Sequence, residues 1–203
     1  MLRLYDYLDS GNGYKVRLLL AQLGRACAWE ELDILTGETR TPGFLAKNAN
    51  GRIPTLELED GRCLAESNAI LWYLAEGSPF IPQDRYLRAQ TLQWMFFEQY
   101  SHEPYVATPR FILKHLAADS PRRAELPDRL ARGRAAIAVM ESQLSHHSFL
   151  VGDGYTIADI ALYAYTHVAH EATLDLSPYP AVLAWLGRVA AQPRHIPITQ
   201  RPG

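Results

Sequence analysis

The chain has 203 residues, 48% of them hydrophobic, and its 20 lysines and arginines against 22 aspartates and glutamates give a formal net charge of −2. That length suffices for one large domain or two small ones with a substantial core, and the near balance of charge argues against nucleic acid as a partner. The sequence has no run of roughly 20 apolar residues of the kind that spans a membrane, and residues 1–6 lack the apolar stretch of a signal peptide, so we expect a cytoplasmic protein.

The first 77 residues alternate between strand and helix patterns. They predict strands over residues 2–7, 55–59 and 62–64, an extended segment over residues 29–34, and helices over residues 12–23, 42–45 and 67–76. Gly24 is expected to end the first long helix, and Asp60-Gly61 is typical of a hairpin turn. Thr41 is suited to be the N-cap of a short helix whose first residue is Pro42. The order βαβ followed by αββα predicts a thioredoxin-like domain over residues 1–77.

The character of the sequence changes after residue 77. Pro79 and Pro82 lie in a short segment, residues 78–84, that we interpret as a linker. Residues 85–203 carry long helical patterns without a convincing strand, and Pro104 is expected to break or kink one of these helices. The predicted fold class is therefore an α/β domain followed by an all-α domain.

A helix-start pattern lies in the second half, at Tyr-Thr-Ile-Ala-Asp-Ile over residues 155–160. Thr156 is suited to cap a helix while Asp159 reaches back to the backbone of the cap, with Asp in place of the usual Glu or Gln. Tyr155 is placed to pack on Ile160 as a hydrophobic staple. We therefore assign Asp159 to folding rather than to catalysis.

Two further groups of residues are interpreted as structural. The cysteines, Cys27 and Cys63, have neither CxxC spacing nor partner histidines, so we predict buried reduced thiols and no metal site. A cluster of arginines with acidic residues between them predicts a helix face exposed to solvent. That group comprises Arg122, Arg123, Glu125, Asp128, Arg129, Arg132 and Arg134.

Three loops of the first domain carry candidate binding residues. A proline that opens a strand, here Pro54, leaves the preceding amide groups outside the sheet ladder. Glu66-Ser67 at a helix start combines a carboxylate with an anion site, and Ser10 lies at the N-terminus of the first helix. Together the three loops suit a small, charged, peptide-like ligand.

These residues resemble the glutathione transferase superfamily, and the resemblance covers essentially the whole chain. Ser10 stands where the family has its catalytic hydroxyl, Ile53-Pro54 matches its Val/Ile-Pro turn, and Glu66-Ser67 matches its Glu/Gln-Ser pair. Residues 10–13, Ser-Gly-Asn-Gly, are most similar to bacterial nu-class members, which carry Thr-Pro-Asn-Gly there. They also resemble the serine type of theta and delta members.

The resemblance implies a catalytic role for Ser10, assisted by Asn12. A thiol with a pKa of about 8.5 is only a few per cent thiolate at neutral pH, so the enzyme has to favour the ionised form of glutathione. Ser10 would donate a hydrogen bond to the sulfur, at the position where a thioredoxin-like redox enzyme carries a reactive cysteine. Two alternatives stay open: a plain N-cap for Ser10 and a turn role for Asn12.

The resemblance also implies how glutathione is bound. The backbone of Ile53, turned outward by a cis bond at Pro54, would pair with the cysteinyl backbone. Glu66 would receive the γ-glutamyl ammonium and Ser67 the carboxylate, while Arg52 would contact the other end of the ligand. The alternatives are an exposed turn arginine at position 52 and ordinary helix-start residues at positions 66 and 67.

For the second substrate, the resemblance implies a pocket that receives an apolar electrophile. Tyr7 and Leu8 precede Ser10, and Tyr105 and Arg110 lie in the helical region that faces this pocket in the family. Helical aromatic residues are also common core residues, so this alternative stays open.

The function implied by the resemblance is a glutathione transferase, with glutathione as co-substrate and no metal. The alternatives are a glutathione-dependent disulfide or peroxide reductase and a non-catalytic binding or interaction module. We also expect a homodimer, formed by the helix over residues 67–76 against the region around residues 85–93.

Overall fold

The computed structural model describes residues 1–202 and divides into two compact units. The first consists of Met1–Ser78 together with the chain from Gln192 onward, and the second is Pro79–Ala191. The predicted second domain, residues 85–203, therefore differs from the second unit at its C-terminal end. The physical reason is that the carbonyls of Ile198 and Gln200 accept hydrogen bonds from Arg17 of the first unit.

The first unit is built on a four-stranded sheet. Its strands are β1 (Arg3–Asp6), β2 (Ala28–Glu31), β3 (Thr55–Glu57) and β4 (Cys63–Ala65), and its helices are α1 (Gly11–Leu23), α2 (Pro42–Leu45) and α3 (Ser67–Ala75). The strand order is β2-β1-β3-β4; β1 is parallel to β2 and antiparallel to β3, which is antiparallel to β4. This topology confirms the thioredoxin-like prediction.

The ends of these elements follow local chemistry. Gly24, with φ 65°, caps α1 in the left-handed region that favours glycine, and the Thr41 hydroxyl accepts the Phe44 amide at 3.3 Å at the start of α2. The extended segment expected over residues 29–34 is shorter in the structure, because β2 ends at Glu31. Asp33 instead closes a local turn by accepting the amide of Leu35 at 2.7 Å.

The second unit is helical, as predicted. Its helices are α4 (Arg85–Phe97), α5 (Glu103–His115), α6 (Leu126–Leu144), α7 (Ile157–Thr166) and α8 (Pro180–Ala190). A π-helical segment, Glu98–His102, separates α4 from α5, and Pro104 falls in the first turn of α5, where a missing amide hydrogen costs little. The chain thus stays helical from Arg85 to His115, and the predicted break takes the form of a π-helical segment directly before the turn that contains Pro104.

The capping box at the start of α7 is confirmed. Asp159 is fully buried, and its carboxylate accepts hydrogen bonds from four donors. These are the amide of Leu150 at 3.0 Å, the amide of Thr156 at 2.9 Å, the Thr156 hydroxyl at 3.2 Å and the Trp185 indole at 2.9 Å. Asp159 therefore links the start of α7 to a preceding loop and to α8; the Tyr155–Ile160 staple stays a prediction.

The arginine-rich face and one of the two cysteines agree with expectation. Arg122 and Arg129 pair with Glu125, and Arg132 pairs with Asp128, on a solvated surface. Cys27 is buried, and burial raises the pKa of its thiol to about 11, which excludes a reactive thiolate at neutral pH. The prediction of burial is wrong for Cys63, which is half-buried because β4 lies at the edge of the sheet.

Within residues 1–202, no helix is both long and apolar enough to cross a bilayer.

Candidate functional site

Ser10 lies at the N-terminus of α1, as predicted. Its backbone is extended, its amide donates to the Tyr7 carbonyl at 2.8 Å, and its hydroxyl oxygen accepts the Gly13 amide at 3.3 Å. A serine hydroxyl has one hydrogen besides its acceptor lone pairs, and no acceptor for this hydrogen occurs among the residues that the structure describes. Ser10 is thus a helix cap whose O–H remains available to a ligand.

The start of α1 packs tightly against the end of β1. A side chain at Gly13 would overlap the carboxylate of Asp6, so this close approach requires glycine. Asp6 is fully buried and accepts the Nε–H of Arg17 at 2.9 Å. Burial raises the pKa of Asp6 to about 6 against the attraction of Arg17, so the carboxylate is ionised at neutral pH.

Asn12 and Ser67 are brought together where α1 and α3 begin. The Ser67 hydroxyl donates to Asn12 Oδ1 at 3.4 Å and accepts from the Lys15 ammonium at 3.3 Å. Lys15 has no exposed surface, Ser67 is 5% exposed and Asn12 is half-buried, so the polar contacts between the two helix starts are largely shielded from solvent. Sequence reasoning missed Lys15, although a lysine next to the apolar run of α1 was a usable indication.

Glu66 adopts an unusual backbone conformation directly before α3. Its φ is 66° and its ψ is 114°, a combination that non-glycine residues rarely adopt and that costs roughly 1–3 kcal/mol. Its side chain is exposed and does not cap the helix, which leaves the first amides of α3 without a side-chain partner from Glu66. Outliers of this kind cluster at ligand-binding sites, and uncapped helix amides favour an anion.

The turn at residues 52–54 contains the expected cis bond between Ile53 and Pro54. The Arg52 carbonyl accepts hydrogen bonds from the side-chain amide Nδ2 of Asn48 at 2.7 Å and from the Thr55 hydroxyl at 3.2 Å, while the Arg52 side chain is exposed. Asn48 is buried and also contacts Thr55 at 3.2 Å. It therefore fixes the shape of this turn, which the sequence pattern alone did not indicate.

The residues predicted for the electrophile pocket fall in both units. Tyr7 and Leu8 are half-buried and line a cleft of about 250 Å³ in the first unit, together with Asp9, Glu31, Ile198 and Thr199. Tyr105 and Arg110 lie on α5 of the second unit, where each contacts a residue of that unit. The Tyr105 hydroxyl accepts from Arg132 at 3.2 Å, and Arg110 pairs with Glu171 at 2.9 Å.

Two family models match the chain. One is described as glutathione S-transferase, N-terminal domain, and covers residues 1–76; the other is described as glutathione S-transferase, C-terminal domain, and covers residues 94–193. The first match lies within the first unit and contains every candidate residue from Tyr7 to Ser67, and the second covers most of the second unit and ends two residues beyond it.

Individual proteins agree with this assignment. The structure of a glutathione S-transferase from Pseudomonas fluorescens is 55% identical, with a TM-score of 0.96 over 98% of this chain and 99% of that one. A glutathione transferase family member from the same species, solved with two glutathione bound, is 26% identical, with a TM-score of 0.83 over 95% of this chain and 89% of that one. The disulfide-bond oxidoreductase YfcG of Escherichia coli is 29% identical over 95% of this chain and 92% of its own length.

Sheet topology, the cis-proline turn and the two family matches lead to the same assignment. The chain belongs to the glutathione transferase superfamily.

Proposed function

We propose that the protein binds glutathione in its first unit and uses the Ser10 hydroxyl to stabilise the thiolate, which attacks an apolar electrophile. The observation that carries this proposal is the geometry of Ser10. Its oxygen caps α1 through Gly13 while its hydrogen remains available, so one hydroxyl can serve both as helix cap and as donor to sulfur.

The energetic demand on Ser10 is modest. A hydrogen bond to a charged acceptor contributes about 1.5–3 kcal/mol, and a helix N-terminus contributes roughly 0.3–2 kcal/mol. At about 1.36 kcal/mol per pKa unit, the two together lower the pKa of the thiol by about one to three units. The thiolate fraction at pH 7 then rises from a few per cent to about a quarter or more, without a histidine to accept the proton from Ser10.

The remaining residues are proposed to bind the rest of glutathione. Glu66 would receive the γ-glutamyl ammonium, and the first α3 amides would receive the carboxylate together with the Ser67 hydroxyl, which would exchange its 3.4 Å hydrogen bond to Asn12 for one to the ligand. The Ile53 backbone would pair with the cysteinyl backbone, next to Pro54, and Arg52 would contact the glycine end. This assignment is supported by the exposed Glu66 side chain, the uncapped start of α3 and the exposed Arg52 side chain.

We also propose which residues receive the second substrate, the electrophile. Tyr7 and Leu8, which precede Ser10 and line a cleft of the first unit, would receive the apolar second substrate, while a role for Tyr105 and Arg110 on α5 stays a prediction from the sequence. In conjugation to chlorodinitrobenzene, the thiolate forms a carbon–sulfur bond at the ring and chloride leaves.

Glutathione-dependent disulfide reduction is a second candidate function. It is favoured by Asn12, which occurs at the same place in the nu-class pattern, and by the likeness to the disulfide-bond oxidoreductase YfcG. In that reaction two glutathione thiols reduce one disulfide, forming oxidised glutathione and two product thiols. Comparing turnover of hydroxyethyl disulfide with that of chlorodinitrobenzene separates the two reactions, and glutathione binding without either turnover would favour a non-catalytic module.

Replacing Ser10 by alanine tests the mechanism. We expect the pKa of the bound thiol to rise by about one to two units, because the sulfur loses a charge-assisted hydrogen bond, and the rate at neutral pH to fall by about 10- to 100-fold. Glutathione affinity should change little. The ultraviolet absorbance of the thiolate, titrated against pH in the presence of the protein, measures the shift directly.

Thr41→Ala is the matched control for Ser10→Ala. Thr41 caps α2 at 3.3 Å, the same distance at which Ser10 caps α1, but it is not among the proposed glutathione contacts. Both variants lose a hydroxyl cap, which costs about 1 kcal/mol of stability, and only Ser10→Ala should move the thiol pKa. If Ser10→Ala titrates like the parent while Asn12→Ala shifts upward, the chemistry belongs to Asn12 and the amides of α1.

We also propose that the protein forms a two-fold dimer through α3 and the start of α4. Tyr73 on α3 and Tyr86 on α4 are 48% and 69% exposed, which is unusual for large aromatic side chains and typical of interface residues. Sedimentation at micromolar concentration should give a dimer, and Tyr86→Lys should shift it toward the monomer. A parent chain that sediments as a monomer would refute this assembly.

A further inference from the structure

Arg17 links the catalytic loop to the C-terminal end of the first unit. Its guanidinium is fully buried and donates four hydrogen bonds to two segments of the chain, residues 6–8 and residues 198–200. The acceptors are the Asp6 carboxylate at 2.9 Å, the Leu8 carbonyl at 2.6 Å, and the carbonyls of Ile198 and Gln200, each at 2.8 Å. Two of the four acceptors thus belong to the tail, by which we mean residues 198–201, and they use both hydrogens of Arg17 Nη1.

The peptide groups of Leu8 are held from two sides. Arg17 donates to the Leu8 carbonyl, and the Leu8 amide donates to Glu31 Oε1 at 3.3 Å. The other carboxylate oxygen of Glu31 is paired with Arg201 at 3.1 Å. Arg17 and Glu31, the two residues that hold Leu8, are thus both in contact with the tail, residues 198–201.

Leu8 lies in the loop that carries Ser10. The Ser10 amide closes this loop by donating to the Tyr7 carbonyl at 2.8 Å, so a displacement of Leu8 moves the hydroxyl of Ser10. Hydrogen-bond donation to a thiolate depends steeply on distance and angle, and a displacement of about 1 Å in a catalytic group is costly. The orientation of Ser10 is therefore coupled to the position of the tail.

We propose that Arg17 is a positioning residue for Ser10 and that it acts together with the tail, residues 198–201, which is part of the scaffold of the catalytic loop. When the tail is absent, the buried guanidinium loses two acceptors and Glu31 loses its arginine. The loop from Tyr7 to Ser10 is then held at fewer points, and the thiolate receives a poorer hydrogen bond. The catalytic consequence rests on the proposed function of Ser10, whereas the structural coupling does not.

The test compares two truncated chains. One ends at Ile196 and lacks the tail; the other ends at Arg201, keeps every contact of the tail described above, and serves as the control. Arg17→Met is avoided because it leaves the Asp6 carboxylate buried without its cation. Arg201→Gln, at a side chain that is 65% exposed, is a milder second variant that keeps the tail and removes the pair with Glu31 together with the contact of the guanidinium with the Trp29 ring.

Hydrogen exchange without any ligand measures the structural coupling. In the chain ending at Ile196, the amides of Leu8 and Ser10 should exchange at least about tenfold faster, while the Ile70 amide of α3, which donates to Glu66 at 2.9 Å, should keep its rate. Arg201→Gln should accelerate the Leu8 amide by a smaller factor. Unchanged exchange at both amides, or equal acceleration at Ile70, overturns the proposal.

Thiol titration then measures the catalytic consequence. In the chain ending at Ile196, the pKa of bound glutathione should rise by about one unit and kcat at neutral pH should fall about tenfold, while the glutathione Kd stays unchanged. A changed Kd with an unchanged pKa would contradict a positioning role. If the parent binds no glutathione, the proposed function fails, and the exchange measurement still decides the coupling of loop and tail.

Discussion

Replacing Glu66 by glutamine and Ser67 by alanine together is expected to weaken glutathione binding by about 3 kcal/mol, a rise in Kd of roughly 100-fold or more. The reason is that the γ-glutamyl end of the ligand carries both an ammonium and a carboxylate. Each of these charges would lose the partner proposed for it at the start of α3, and a desolvated charge without a partner is costly.

Calorimetry of glutathione binding measures this loss. Glu66 is exposed, but Ser67 is buried against Lys15, so thermal unfolding of the variant has to show that the fold is intact. Glu76→Gln with Ser78→Ala is the matched control, because it makes the same chemical changes just beyond the other end of α3. A Kd that is the same in the double variant, the control and the parent would refute the assignment of Glu66 and Ser67.

Asp159→Ala is expected to destabilise the protein by about 3–5 kcal/mol without changing the residues of the proposed site. The substitution removes the acceptor of four hydrogen bonds in a fully buried environment. The indole of Trp185 and the amides of Leu150 and Thr156 are then left without this partner in the core, and α7 loses its capping box. A loss of this size exceeds the effect of an ordinary helix cap, which is about 1 kcal/mol.

Urea denaturation checks this prediction through the midpoint and the slope of the transition. Asp153→Ala removes an exposed carboxylate six residues earlier and should change the free energy of unfolding by less than about 0.5 kcal/mol. If Asp159→Ala unfolds at the urea concentration of the parent, the carboxylate is dispensable for folding. Asp159 would then need another explanation.

The features that could be predicted from the sequence are those that depend on residues close together in the chain. The period of apolar residues, the glycine at position 24 and the Thr41-Pro42 pair mark elements that depend on neighbouring residues only, and the structure confirms them. The capping box of Thr156 and Asp159 belongs to the same category, because its two partners are three residues apart. The candidate site residues Ser10, Glu66 and Ser67 were found because helix starts have a recognisable pattern.

The features that the sequence did not predict involve contacts between residues that are distant in the chain. The assignment of the tail to the first unit depends on carbonyls at 198 and 200 meeting Arg17, and carbonyls carry no sequence signature. The contact of Lys15 with Ser67 joins positions 52 residues apart. The left-handed backbone of Glu66 contradicts the preference of its residue type and is maintained by the surrounding fold. Such features follow from packing between segments, which periodicity and local propensity do not encode.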